Sequence, residues 1–443
     1  MKGDLLACLW GIACCMQNPS IALGGGDYFR LQSWHCLAIL YIGLWIGNLK
    51  RGMVLLWLAF ILPSTITGAY YLSAHTSVDL NIKLTGSWII ATIPLLLSTC
   101  FCTPRRIHGL IDGICVAILI HGVISLVQIA TLSGGAYPLW GLYQFGNSAH
   151  RVSALSGLDS HIRVFGLFHE PSDMAASLGH WILLLLAWRT GLFSLGNLGA
   201  SRRVLYTTTL VVGALLMCLS FSGHLLVIGT GLLMMLVASM RRLNKRRLLH
   251  WIPVVSVFGV LAAVGLGYLI ALQRNEAMRN VSWSMRQVSL VTSFEILRDT
   301  SGAERVIGFG DAGGKTLNAL TGYQVWSVVA KSLLGFGLLQ VIAWVGLLWK
   351  AGRSIRSSGS KVVGWVFLFV LMAGMLLTTS TETLAALWMS LAVLVMWGPA
   401  FGVRPSLRMG FYSGRFASFP QRAIHSSGSL LVKSARRVPV DDI

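Results

Sequence analysis

Apolar residues along this chain come in long runs, broken at intervals by short clusters of Arg, Lys, Gly and Pro. A helical run of about 20 such residues matches the hydrocarbon thickness of a bilayer. The pattern predicts twelve spans: 4–22, 31–49, 52–71, 85–102, 110–131, 172–190, 204–220, 223–240, 251–272, 325–349, 362–379 and 382–402. Gln17, Asn18 and Pro19 interrupt the first, and the tight pair 204–240 also reads as one broken element. Lipid offers the backbone no hydrogen-bond partner, so helices are the expected spanning element.

The expected fold is an all-α polytopic membrane protein over 1–402, with about twelve transmembrane helices. Two large extracytoplasmic loops are expected at about 132–171 and 273–324. A Ser- and Arg-rich tail, 403–443, has too few large apolar residues to pack and is expected to be disordered. No charged leader and apolar segment precede Cys8, so neither a lipoprotein site nor a cleaved signal peptide is expected.

Composition agrees with this reading. The chain is 55% hydrophobic and only 11% charged, where a soluble domain carries about 25% charged residues. With twelve spans, Lys50-Arg51, Arg105-Arg106, Arg202-Arg203, the run 241–247, the stretch 350–361 and the tail all fall on one side. By the positive-inside rule that side is the cytoplasm, and both termini lie there. The formal charge of +20 is then met by anionic membrane lipid, and no nucleic-acid partner is expected. The eight cysteines fall in or beside spans, with no zinc-ligand spacing and no loop pair.

The first outer loop, with "SGGAYPLWGLYQFGNSAH" (133–150), suits either a polar, ring-shaped ligand or an aromatic surface at the lipid interface. The second contains "SWSMRQVSLVTSFEILRD" (282–299). There Val288, Val291, Phe294 and Leu297 predict an amphipathic helix lying on the bilayer.

The densest charge beside an apolar run is "RVFGLFHEPSDMAA" (163–176). Pro171 suits the first position of a helix, and Ser172 and Asp173 suit its positive end. That helix start leaves Arg163 and His169 unexplained. Arg163 either pairs with Glu170 or faces an anion at the membrane edge, where the free N–H groups of a helix start also attract one. Arg286 is either a solvated interfacial arginine or an anion ligand. Arg298 and Arg305 adjoin Asp299 and Glu304, which makes local ion pairs the simpler expectation. Lys331, inside the tenth span, is either a functional cation or one that snorkels to the interface. His224 reads as a packed, hydrogen-bonded histidine, with His121 and His180 weaker candidates still, and Glu382 as a cap on the last span.

"GFGDAGGKT" (308–316) is not a nucleotide loop, because Phe309 stands where the phosphate-binding pattern needs its first glycine. No helix is expected after it. Gly308 and Gly310 make either a tight turn or a close approach to a ligand. There is no HExxH, G-x-S-x-G, zinc motif or paired metal carboxylate, so no metal and no cofactor is expected.

Four stretches together resemble the Wzy-type polysaccharide polymerases and related O-antigen ligases of bacterial envelopes. They are "RVFGLFHEPSDMAA", "CLSFSGHLLVIGTGLL", "RQVSLVTSFEILRDTSGAERVIGFG" and "VVAKSLLGFGLLQVIAWV". Their order covers most of residues 110–400. The resemblance implies a GT-C-like fold in the bacterial inner membrane. It implies an enzyme that joins oligosaccharide repeats carried on undecaprenyl diphosphate, with that lipid as leaving group. Arg163 and Arg286 would hold the diphosphate, and Glu170 would orient or deprotonate the acceptor hydroxyl, with His169 the alternative base. Ser222, Arg305, Lys331, Gly308 and Gly310 would line the substrate. Membrane lipid, a chain-length regulator and a flippase of the same pathway are the implied partners. Ligases of the superfamily carry a catalytic histidine in the second large loop; residues 273–324 contain none, which favours polymerase. Lys331 stands near a place where the family often has an acidic residue. A transporter of the same lipid is the reading from another class; it would place its cations in a central cavity between two similar halves.

Overall fold

Among the described residues the apolar runs fold as helices. The structure, a computed structural model, describes residues 2–16, 20–22, 30–45, 47, 49–74, 78–101, 103–132, 166–168, 171–196, 198–219, 224–242, 288, 290–300, 302–310, 312–321, 327–377 and 385–401. The first half contains α1 (Lys2–Cys14), α2 (Ser33–Trp45), α3 (Arg51–Ser73), α4 (Val78–Ala91), α5 (Ile93–Leu96) and α6 (Pro104–Leu132). The second contains α7 (Pro171–Arg189), α8 (Ala200–Leu219), α9 (His224–Arg242), α10 (Ala303–Ile307) and α11 (Ala312–Thr321). It ends with α12 (Val328–Arg356), α13 (Lys361–Leu377), α14 (Ala385–Val395) and α15 (Trp397–Phe401).

Three of these helices are long and apolar enough to cross a membrane: Arg51–Ser73, Arg105–Thr131 within α6, and Val328–Arg356. Large apolar side chains stand exposed around the bundle, among them Ile39, Leu55, Val123, Leu126, Val211 and Ile342. Water would penalise such a surface and lipid would not. The chain is a helical membrane protein.

Several predicted spans need correction. The first does not run to residue 22: α1 stops at Cys14, and Ser20–Ala22 pairs antiparallel with Arg30–Gln32, Ile21 opposite Leu31. Gln17, Asn18 and Pro19 lie between the two elements, and proline lacks the N–H that a helix interior needs. The fourth is broken: α4 ends at Ala91, α5 starts beyond Thr92 with Pro94 in its first turn, and a 3-10 turn covers Leu97–Phe101. The spans 204–220 and 223–240 need no such correction, for they fall on two helices, α8 and α9. The ninth predicted span, 251–272, and the tail, 403–443, lie outside the described residues.

α14 is buried over its whole length, as a helix apolar on every face should be. α7, buried from Asp173 to Leu185, packs beside it and against α8, α9 and α13. Three polar side chains inside this packing meet at Ser390. Ser390 Oγ donates to the Ala386 carbonyl and accepts the Trp181 indole N–H at 3.0 Å. His180 Nε2 meets the same oxygen, so with the serine proton already committed the imidazole is the donor.

Small residues bring helix backbones together elsewhere. A Cβ on Gly113 of α6 would stand 2.0 Å from the Cys8 carbonyl oxygen of α1, and one on Gly11 would stand 2.5 Å from that of Leu110. Where lipid supplies no hydrophobic drive between helices, such close packing is a main source of association. α8 is tied to the same helix by Asp112, which accepts from Arg202 Nε at 2.9 Å and from the Tyr206 hydroxyl at 2.7 Å.

Candidate functional site

α6 carries a buried polar stripe: His121, Ser125 and Gln128, spaced to share one helix face. Two of them hold the stretch Gly166–Phe168, just ahead of the charged segment. Gln128 forms a closed pair with Gly166, its Nε2 donating to the Gly166 carbonyl at 3.0 Å and its Oε1 accepting the Gly166 N–H at 3.1 Å. His121 Nδ1 accepts the Leu167 N–H at 3.1 Å, and Nε2 reaches the Cys15 carbonyl at 2.8 Å. One proton assignment satisfies both contacts: Nδ1 bare, Nε2 protonated, the ring neutral. Phe168 stacks on the same imidazole. Gly166 is the residue this contact requires, for its φ is +56° and a Cβ would stand 2.3 Å from His121 Nδ1.

α7 then starts at Pro171, the position the sequence predicted, with Asp173 fully buried in its first turn. The start of α7, the end of α13 and the start of α12 meet. A Cβ on Gly374 of α13 would stand 3.1 Å from the Ala176 Cβ. One residue on, the Met375 carbonyl accepts from Ser327 Oγ at 3.4 Å, while Ser327 also caps α12 through the Ala330 N–H at 3.3 Å. Lys331 lies one turn into α12 from this junction. It is half-buried and lines a small recess with Leu84, Ser87, Trp88, Ser332 and Phe336.

Gly308 and Gly310 pack on the next turn of α12. The Phe309 N–H donates to the Leu334 carbonyl at 2.8 Å and the Gly310 N–H to that of Gly335 at 3.0 Å. α12 accepts these bonds because it is kinked at Gly337 (φ +65°, ψ −158°). A Cβ on Gly308 would stand 2.4 Å from the Gly335 oxygen, and one on Gly337 2.4 Å from the Gly308 nitrogen. From the other side Tyr71 donates to the Gly308 carbonyl at 3.0 Å, and Thr67 bonds that of Ile307. Both glycines are buried: Gly308 closely approaches the backbone of α12, and Gly310 the Asn81 side chain of α4.

Contrary to expectation, a helix follows this turn: α11 covers Ala312–Thr321. Glycine is a poor helix former, which is why "AGGKT" reads as loop. Tertiary packing overrides the propensity, since Leu317 is buried with Leu297, Leu333 and Leu334. Residues 290–299 are helical as predicted, with Val291 and Phe294 exposed and Leu297 buried in that cluster.

Of the candidate cations, Arg298 pairs with Asp299 (Nε–Oδ1 2.7 Å) and holds that carboxyl below the usual carboxylate range. Arg305 is exposed and makes no ion pair with Glu304 among the described residues. Arg163, His169, Glu170, Ser222 and Arg286 lie outside the described residues, as does Glu382. Among the described residues no three His, Cys, Asp or Glu side chains converge as metal ligands would. Sequence reasoning missed Gln128, Thr67, Tyr71 and the break at Gly337. The spacing of His121, Ser125 and Gln128 in the apolar second half of α6 was the available signal for the first.

No protein-family model matches this sequence, and no curated protein sequence matches it.

Proposed function

We propose that this protein is a polymerase of lipid-linked oligosaccharide repeat units, working at the outer face of a bacterial inner membrane. The proposal includes a twelve-span topology with both termini in the cytoplasm and the two large loops outside. The observation that carries it is the junction at Ala176, Gly374, Met375 and Ser327. It joins the helix that follows the first large loop to the helix that follows the second. A substrate whose lipid tail lies in the bilayer, with its diphosphate at the surface, needs cations at such a membrane edge.

In the proposed reaction an acceptor sugar hydroxyl attacks the anomeric carbon of a second repeat unit. The bond from that carbon to the diphosphate oxygen breaks, and undecaprenyl diphosphate leaves. Glu170, or His169, takes the hydroxyl proton. Arg163 and Arg286 stabilise the charge on the leaving diphosphate, with Lys331, Arg305 and Ser222 contributing to substrate binding. The sugar–diphosphate bond is already activated, so neither a nucleotide sugar nor a metal is required. His121 and Gln128 fix the approach to the charged segment.

Deletion of the gene tests this in cells. Single repeat units on undecaprenyl diphosphate should accumulate, and wild type should restore long polymer while Arg163→Ala and Arg286→Ala should not. Accumulation of full-length polymer on the lipid carrier would instead indicate a ligase. Units trapped facing the cytoplasm would indicate a transporter.

A further inference from the structure

The last turns of α12 carry a second site, at the opposite end of that helix from Lys331. Trp349, Gly352, Arg353 and Arg356 recur at spacings of three and four, so they share one helix face. Trp365 of α13 stands against them. Gly352 allows this approach, since a Cβ there would lie 3.1 Å from the Trp365 ring. With Leu348 these side chains line a recess of about 270 Å³, close to the roughly 300 Å³ at which small-molecule sites begin.

The recess has an apolar side and a cationic side. The Arg353 guanidinium lies 5.7 Å from the centre of the Trp349 ring, a cation–π contact. Trp349 and Trp365 are 64% and 41% exposed. Neither Arg353 nor Arg356 is ion-paired among the described residues. At roughly 1.5 Å per residue, the arm of α12 beyond the Gly337 kink rises about 24 Å to Arg353, most of the roughly 30 Å of a hydrocarbon core, which brings the two arginines to the membrane face at that end of the span.

We infer that this recess binds an anionic phospholipid, with its phosphate between Arg353 and Arg356 and its acyl chain along Leu348, Trp349 and Trp365. Guanidinium groups match phosphate oxygens in pairs. Tryptophan rings settle at headgroup level. Along α12, Leu348 and Trp349 precede the arginines toward the membrane interior, the polarity order of a lipid. A free anion would leave the aromatic wall unused, and a zwitterionic headgroup would bring its own cation against the arginines.

Native mass spectrometry of the full chain in detergent tests the site. The arms are phosphatidylglycerol, phosphatidylcholine and inorganic phosphate, with unfolding temperature as the folding check. Wild type should retain phosphatidylglycerol in preference to phosphatidylcholine, and millimolar phosphate should not displace it. The double variant Arg353→Gln/Arg356→Gln should weaken retention by about tenfold or more. Arg353→Lys/Arg356→Lys, which keeps the charge, should fall between the two. Lys350→Gln/Lys361→Gln removes equal charge outside the recess and should retain lipid like wild type. Equal retention by the glutamine variant, an equal loss in the lysine control, no preference over phosphatidylcholine, or displacement by phosphate would each overturn the assignment.

Discussion

The Nδ1 of His121 accepts the backbone N–H of Leu167 at 3.1 Å, so a buried side chain of α6 holds the approach to the charged segment 169–173. His121→Ala removes the hydrogen bonds to that N–H and to the Cys15 carbonyl. Each such bond contributes about 0.5–1.5 kcal/mol. The variant should enter the membrane, unfold at lower temperature in detergent, and lose product length. Gln128→Leu, which removes the neighbouring pair of bonds to Gly166, should behave alike. Wild-type product from both variants would show that this anchor does not govern the segment.

Gly337 and Gly302 share a backbone region that only glycine adopts readily, φ +65° and +73°. Alanine there costs about 1–3 kcal/mol from strain alone. A Cβ on Gly302 meets nothing within 4 Å, whereas one on Gly337 strikes the Gly308 nitrogen and the Val306 oxygen. Gly337→Ala should therefore destabilise more than Gly302→Ala and expose 302–310 to protease in folded protein. Equal effects on unfolding and cleavage would contradict the docking of Gly308 on α12.

Gly113→Ala should be among the more damaging single-methyl changes in the chain. Overpacking costs about 1–3 kcal/mol where side chains give way, and here the neighbour is the Cys8 backbone. The expected result is a low yield of folded protein and a lowered unfolding temperature. Gly43→Ala, where a Cβ meets nothing within 4 Å, is the matched control.

At Asp112 the two partners should differ in worth. A hydrogen bond to a charged group contributes about 1.5–3 kcal/mol. Tyr206→Phe, losing a buried hydroxyl donor, should approach that range in a denaturant titration. The Arg202 side chain is 38% exposed, so solvent screening should keep Arg202→Ala under about 1 kcal/mol. The reverse order would mean that the ion pair, rather than the tyrosine, ties α8 to α6.

Much of this architecture is legible in the sequence because lipid leaves few options: long apolar runs become helices, and Pro171 opens α7. What escaped prediction depends on partners distant along the chain. Gln17-Asn18-Pro19 marks an interruption, but nothing local says that Ser20–Ala22 pairs with Arg30–Gln32. Gly313 and Gly314 argue against a helix that Leu317 obtains by packing on Leu333 and Leu334. The glycines at 308 and 310 signal a close approach without naming what is approached, which proves to be the kink at Gly337 for Gly308 and the Asn81 side chain for Gly310. His121 looked like an incidental polar residue in an apolar helix, because its partners are Cys15 and Leu167.

The most direct measurement uses purified protein in liposomes, supplied with the lipid-linked repeat units that gene deletion should make accumulate. Released undecaprenyl diphosphate and product length are followed together. Polymerisation assisted by Arg163 and Arg286 predicts one diphosphate lipid released per new linkage in wild type. It predicts neither release nor ladder in folded Arg163→Gln and Arg286→Gln. Unit transfer across the bilayer without release, or normal ladders from both variants, would contradict it.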